Sequence, residues 1–190
     1  MDEQESYTGQ FRRERWSALL TVGLLLIALL LGWQLQTAVE AASRTISHGN
    51  ISAAVPIGWI VQSGAGDLLF AARNPQKPDQ LYQVSQIAAQ ADLDTLAAGR
   101  NQSRARMDDS FRVLASEAVI VGGQEGYKVS FGRINSSVPG MPAVIEGVEY
   151  YFRHGEQVLI ISLESRLDSF SEALPRFHRF VQSVRYQAGA

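Results

Sequence analysis

The sequence predicts an α+β protein in which one N-terminal transmembrane helix precedes a sandwich of mostly antiparallel β-sheet with flanking helices. Three observations carry this. Residues 16–39 contain no charged side chain and nine leucines. Several later runs alternate apolar and polar residues with the two-residue period of a half-buried strand. Two other segments repeat their apolar residues at helical spacing. Composition narrows the chemistry further. The 190 residues include no cysteine, which excludes disulfides, thiolate zinc sites, cysteine-ligated iron–sulfur clusters and covalent c-type haem.

The chain begins with a polar tail, residues 1–15, carrying Arg12, Arg13 and Arg15. The apolar run from Trp16 to Val39 follows, and an apolar helix of about 20 residues crosses a bilayer core. Trp16 and Trp33 lie about 25 Å apart along such a helix, where indoles favour the two interfaces. A cleaved signal peptide is the alternative, with Val39-Glu40-Ala41 as a small-residue site, but secretory apolar cores are usually shorter than this run. Only Arg44 follows the span closely, so the arginine bias places the tail in the cytoplasm and the rest of the chain outside it. The expected location is the plasma (inner) membrane, with a single pass and a periplasmic or otherwise extracytoplasmic domain.

Residues 40–50 read as a linker and residues 51–186 as one extracytoplasmic domain. From Thr45 onward the chain has 13 basic and 14 acidic residues. A net charge near zero offers no field for nucleic acid. Strands are expected at Ile51–Val55, Trp59–Gln62, Leu68–Arg73, Leu81–Ile87 and Phe111–Ser116. Two loops rich in glycine, proline and acidic or amide residues separate some of them. Asp92 is placed to cap a helix over Leu93–Met107, with Leu93, Leu96 and Ala97 on one side. Tyr127, Val129 and Phe131 alternate with Lys128, Ser130 and Gly132; Val144, Val148, Tyr150 and Phe152 share a face with Glu146, while Glu149 and Arg153 point the other way; and Leu159, Ile161 and Leu163 alternate with Val158, Ile160 and Ser162. His154-Gly155-Glu156 joins the last two runs as a hairpin turn, because glycine supplies the positive φ of tight hairpins. Phe170, Leu174, Phe177, Val181 and Val184 form one stripe of a C-terminal helix that must cover a sheet. Pro175 within it predicts a kink or restart, with Asp168 or Ser169 as the cap.

Three stretches resemble a known family. Ile51 to Trp59, a strand running into Pro56-Ile57-Gly58-Trp59, is similar to the opening of PsbP-like extracytoplasmic domains. Val121-Gly122-Gly123-Gln124-Glu125-Gly126-Tyr127 resembles that family's glycine-marked strand entry. Phe177 to Val184 is similar to its terminal helix, which closes on a short strand. The resemblance spans about Ile51 to Tyr186. It implies a central antiparallel sheet flanked by helices, and relatives that act as non-enzymatic accessory proteins of membrane complexes. The membrane helix departs from the soluble lumenal members.

No catalytic residue, cofactor site or metal site is expected. There is no Gly-x-Ser-x-Gly elbow, and Gly64-Ala65-Gly66 lacks the lysine and helix of a phosphate loop. His48, His154 and His178 have no short spacing between them, and read as a linker, a hairpin and a surface residue. The carboxylate pairs Asp92/Asp94, Asp108/Asp109 and Glu146/Glu149 lack an accompanying nucleophile or base. Four residues are candidate docking contacts. Val138 and Met141 would anchor the long Asn135–Ala143 connection, which exceeds ordinary hairpin loops. Arg100 and Arg104 share a helix face that reads as solvated surface or as a dock for anionic headgroups or an acidic subunit. The expected role is a non-catalytic single-pass accessory subunit. Its partners are the bilayer and the other subunits of a larger membrane complex, of the respiratory or photosynthetic electron-transfer kind. The alternative is a membrane-anchored periplasmic module that binds or senses a ligand or metal.

Overall fold

The computed structural model describes residues 21–33, 42–136 and 142–186. The chain divides into two compact units, residues 1–42 and 43–190. In the first, residues 21–33 form a helix, α1, whose large apolar side chains are exposed. The expected span continues at both ends onto residues 16–20 and 34–39, outside the described residues. Among the described residues no helix is long and apolar enough to cross a membrane.

The second unit is an α+β domain. Its main sheet has seven antiparallel strands in the order β3-β4-β5-β9-β8-β7-β6. These are β3 (Ile60–Ser63), β4 (Leu68–Arg73), β5 (Leu81–Ala88), β6 (Arg112–Val121), β7 (Gln124–Asn135), β8 (Ala143–His154) and β9 (Gln157–Arg166). A smaller sheet places β2 (Ile51–Pro56) between β1 (Ser43–His48) and β10 (Arg185–Tyr186). Helix α2 (Leu93–Met107) packs on β7 and β8, while α3 (Leu167–Ser183) packs on β9, β8 and β2.

Strand alternation builds the principal core. Ile51, Ala53 and Val55 of β2 turn inward, as do Tyr82 and Val84 of β5 and Val148, Tyr150 and Phe152 of β8. Helix α3 contributes Phe170, Ala173, Phe177, Phe180 and Val181 to the same cluster. The opposite face of the sheet makes a smaller core of Val129, Tyr151, Val158 and Ile160 beneath Ala97 of α2. β9 is therefore buried on both faces from Val158 to Leu163, which explains its nearly continuous apolar run. Trp59 lies just before β3 and still enters the core, its ring 4.5 Å from that of Tyr82. The β8–β9 hairpin turns through Gly155 at φ 60°.

Four expectations are corrected. Residues 43–48 are a strand and not linker: β1 pairs with β2 from Ser43↔Pro56 to His48↔Ile51. Its side chains are mostly exposed and only Ile46 packs on the core, so no apolar alternation marks it. The strand expected to end at Ser116 runs on to Val121, because an edge strand needs no buried face to pair with its neighbour. Helix α3 does not restart at Pro175 but is one element through it, since apolar residues on either side of the proline seat the same stripe on the sheet. Its N-cap is Arg166, without a side-chain cap bond. Ser169 instead donates its hydroxyl to the Arg166 carbonyl at 3.3 Å.

Candidate functional site

Three sites collect polar side chains. Beneath α2, Glu149 of β8 is 1% exposed. Its Oε1 accepts from Arg104 at 2.6 Å and its Oε2 accepts from the Tyr151 hydroxyl at 2.6 Å. Arg100 stands 3.9 Å away. The Arg104 guanidinium also lies over the rings of Phe111 and Phe131, 5.7 and 5.3 Å from their centroids. Burial opposes its charge, but the charge and hydrogen bond of Glu149 more than offset this and raise its pKa. Burial, reinforced by Glu149, pushes the Tyr151 phenol far up, so it stays protonated and donates. Gly147 leaves room for the Phe131 ring, with which a Cβ there would collide. A carboxylate held on both oxygens in this way is a structural anchor for α2 and is poorly placed to act as a base.

This geometry corrects the reading of Arg100 and Arg104 as an outward docking face. They turn toward the sheet, with side-chain exposures of 31% and 22%. Val138 and Met141, the other docking candidates, lie outside the described residues. Of the carboxylate pairs, Glu146 and Glu149 fall on opposite faces of β8, as their spacing predicts; burial raises the Glu146 pKa. Asp92 and Asp94 stand at the start of α2. Asp108 accepts both the backbone N–H and the hydroxyl of Ser110, at 2.9 and 2.6 Å, which holds its carboxyl below the usual range. No group of three or more histidines and carboxylates gathers in metal-binding proximity among the described residues.

The second site is a pocket of about 260 Å³ near the C-terminal end of α3. Phe152, Leu159, Ile161 and Val181 give it an apolar lining, with His154 and Arg185 among its polar groups. The His154 ring stacks on Tyr186 at 4.8 Å, and its Nε2 is 3.2 Å from the Gln124 amide nitrogen. That contact requires neutral imidazole with Nε2 accepting, and burial lowers the His154 pKa in the same sense. The sequence did not single out Gln124, although two adjacent hairpins bring it to His154. Ser183 was also missed: it accepts from the Ala54 N–H at 2.9 Å and donates to the Phe180 carbonyl at 2.7 Å, fastening α3 to β2. His178 is exposed, with Nε2 3.0 Å from the Tyr150 hydroxyl.

The third site is an open groove of about 640 Å³ between the start of α2 and strand β6, floored by Leu93, Ala118, Ile120 and Tyr127.

The domain has the PsbP/Mog1 fold. Cyanobacterial PsbP (CyanoP) from Synechocystis superposes with a TM-score of 0.61 at 12% identity, over 77% of this chain and 93% of that one. The Ran-binding protein Mog1p of Saccharomyces cerevisiae gives 0.52 at 11% identity, over 76% and 95%. At such identities the likeness is one of fold. No protein-family profile and no curated protein sequence matches the chain. The likeness to PsbP expected from the sequence therefore stands for the fold of the domain, and the expected membrane anchor is not shown by these comparisons.

Proposed function

We propose that this chain is a non-catalytic single-pass membrane accessory subunit. Its N-terminus is cytoplasmic, and its extracytoplasmic domain docks on and stabilises a larger membrane complex of the electron-transfer kind. The observation that carries the reading is α1. Its residues are uncharged, and its large apolar side chains are 53–69% exposed. A helix apolar on all sides requires lipid or a partner around it, and the uncharged sequence continues beyond it on both sides. The PsbP fold of the domain adds support by analogy, and the paired state of Glu149 favours a structural over a catalytic core.

Affinity purification of the full chain in mild detergent, with mass spectrometry of what is retained, tests this reading. Stoichiometric membrane subunits are expected, and their absence overturns it. Protease added to intact spheroplasts should remove the domain; a protected domain with an accessible N-terminal tag refutes the topology. The ligand-sensing alternative is favoured by the pocket at His154 and Arg185. It takes first place if the pocket retains a small molecule after purification and no subunit co-purifies.

A further inference from the structure

The main sheet ends on two edges of unequal length, the four residues of β3 and the ten of β6. A long edge leaves backbone N–H and C=O groups without a strand partner, and folded proteins protect such edges with lysine, proline, bulges or covering chain. β6 has a bulge between Val113 and Ala115. From Ala115 to Val121 its register with β7 is regular, and this stretch contains neither proline nor lysine. Its one charged residue, Glu117, is drawn to Lys128 of β7 at 2.8 Å. Ile120 is 73% exposed.

The groove beside this edge has a definite electrostatic character. Its apolar floor is rimmed by Asp94 of α2 and Glu125 of β7. Neither carboxylate lies within ion-pair distance of a cation among the described residues. Among the described residues Asp94 accepts only from its neighbour Thr95, through the backbone N–H at 2.7 Å and the hydroxyl at 3.4 Å. Arg153, on the adjacent strand, donates to the Ala91 carbonyl instead. Because Arg100 and Arg104 turn inward, the charge that α2 offers this groove is negative.

We propose that β6 is a strand-addition site for an extended partner segment carrying apolar and basic side chains at alternate positions on its groove-facing side. The proposal rests on the docking role above and names the chemistry of the contact. The β6 backbone supplies hydrogen bonds, the floor takes the apolar side chains, and Asp94 and Glu125 take a lysine or arginine. A second copy of this chain fits poorly, because edge-to-edge pairing brings the same carboxylates and Glu117 together.

The test uses the full chain in detergent micelles, isotopically labelled, with two short synthetic peptides as probes. One presents valine, lysine and valine on one strand face; the other has glutamate in place of lysine. The lysine peptide should shift the amides of Ala118 and Ile120 and bind at least about tenfold more tightly than its counterpart, since rim charges act mainly on selectivity. Asp94→Lys combined with Glu125→Lys should reverse that preference. Ile120→Glu, at an exposed position, should abolish binding of both peptides without changing the melting temperature. Equal binding, no binding, shifts confined to the pocket at Tyr186, or cross-linked β6–β6 dimers each overturn the assignment. Subunits recovered equally by wild type and Ile120→Glu overturn the edge assignment and leave the docking role intact. Peptide binding with no subunit ever recovered overturns the docking role and leaves the edge site intact.

Discussion

Replacing Arg104 with alanine tests whether α2 is anchored through a buried ion pair. Glu149 is 1% exposed and Arg104 about a fifth exposed, with 2.6 Å between them. Removing one partner of such a pair strands the other charge, which typically costs about 3–5 kcal/mol. The partial exposure of Arg104 argues for the lower end, while loss of its contact with Phe111 and Phe131 adds roughly 0.5–1 kcal/mol. A domain of this size loses about 2–4 °C of melting temperature per kcal/mol. Arg104→Ala should therefore melt roughly 10 °C below wild type, by circular dichroism of the full chain in detergent. Arg106→Ala, on the exposed side of the same turn, should shift it by about 1–2 °C at most. Replacing the pair together, as Arg104→Met with Glu149→Leu, should recover part of the loss, because the stranded carboxylate and its desolvation vanish while the buried Tyr151 hydroxyl loses its acceptor. If Arg104→Ala melts with wild type, the side chain is at the surface and the inward orientation is wrong.

Three further outcomes follow from the two cores. Phe177 is fully buried, with the rings of Tyr82 and Tyr150 at 5.2 and 6.0 Å, so Phe177→Ala should cost about 3–5 kcal/mol while Arg179→Ala costs under about 0.5; equal melting temperatures refute the assigned helix face. The Tyr82 hydroxyl is buried without a hydrogen-bond partner among the described residues, so Tyr82→Phe should be neutral or stabilising by up to about 1 kcal/mol, and a clear loss of stability by calorimetry shows that the hydroxyl is bonded after all. His154 and His178 both titrate below the ordinary value of 6.5, His154 through burial and the largely exposed His178 through partial desolvation of its ring beside Tyr150 and the charge of Lys128. Because the folded state binds these protons less readily than the unfolded chain, their contribution is present above pH 6.5 and is lost as pH falls through the depressed values. Ring-proton NMR titration midpoints above 6.5 refute this sign.

Elements with caps and alternation were legible in the sequence. Asp92 and the Leu93–Met107 spacing place α2 at its observed bounds, and the inward residues of β2, β5 and β8 follow from period two alone. β1 was not legible, because an edge strand with one packed side chain has no apolar signature to read. The extension of β6 to Val121 was obscured in the same way: most of its residues are exposed, so pairing with β7 and not burial defines its length. Val121 to Tyr127 reads as a glycine-marked strand entry, and β7 begins within it at Gln124; Gly122 and Gly123, with positive φ of 59° and 82°, make the β6–β7 hairpin turn that leads into it.

The inward arginines have a trace in the sequence. Leu93, Leu96, Ala97, Arg100, Asn101 and Arg104 follow one another at steps of three, one, three, one and three, so they continue a single helical stripe. The stripe starts apolar and ends in guanidinium groups. A helix with so few apolar residues must be held by the polar part of that stripe, and a buried arginine requires a buried acid opposite it. β8 supplies one only on the face opposite Val148, where Glu149 alternates with the buried Tyr151. Pairing the stripe with the strand period brings Arg104 to Glu149. It leaves Asp94, off that stripe, as the α2 charge beside the groove, while Arg106 is exposed nearer the C-terminal end of the helix. The sign of the proposed docking surface thus follows from the inward turn of Arg100 and Arg104, and this is why the peptide selectivity and the melting of Arg104→Ala stand or fall on the same geometry.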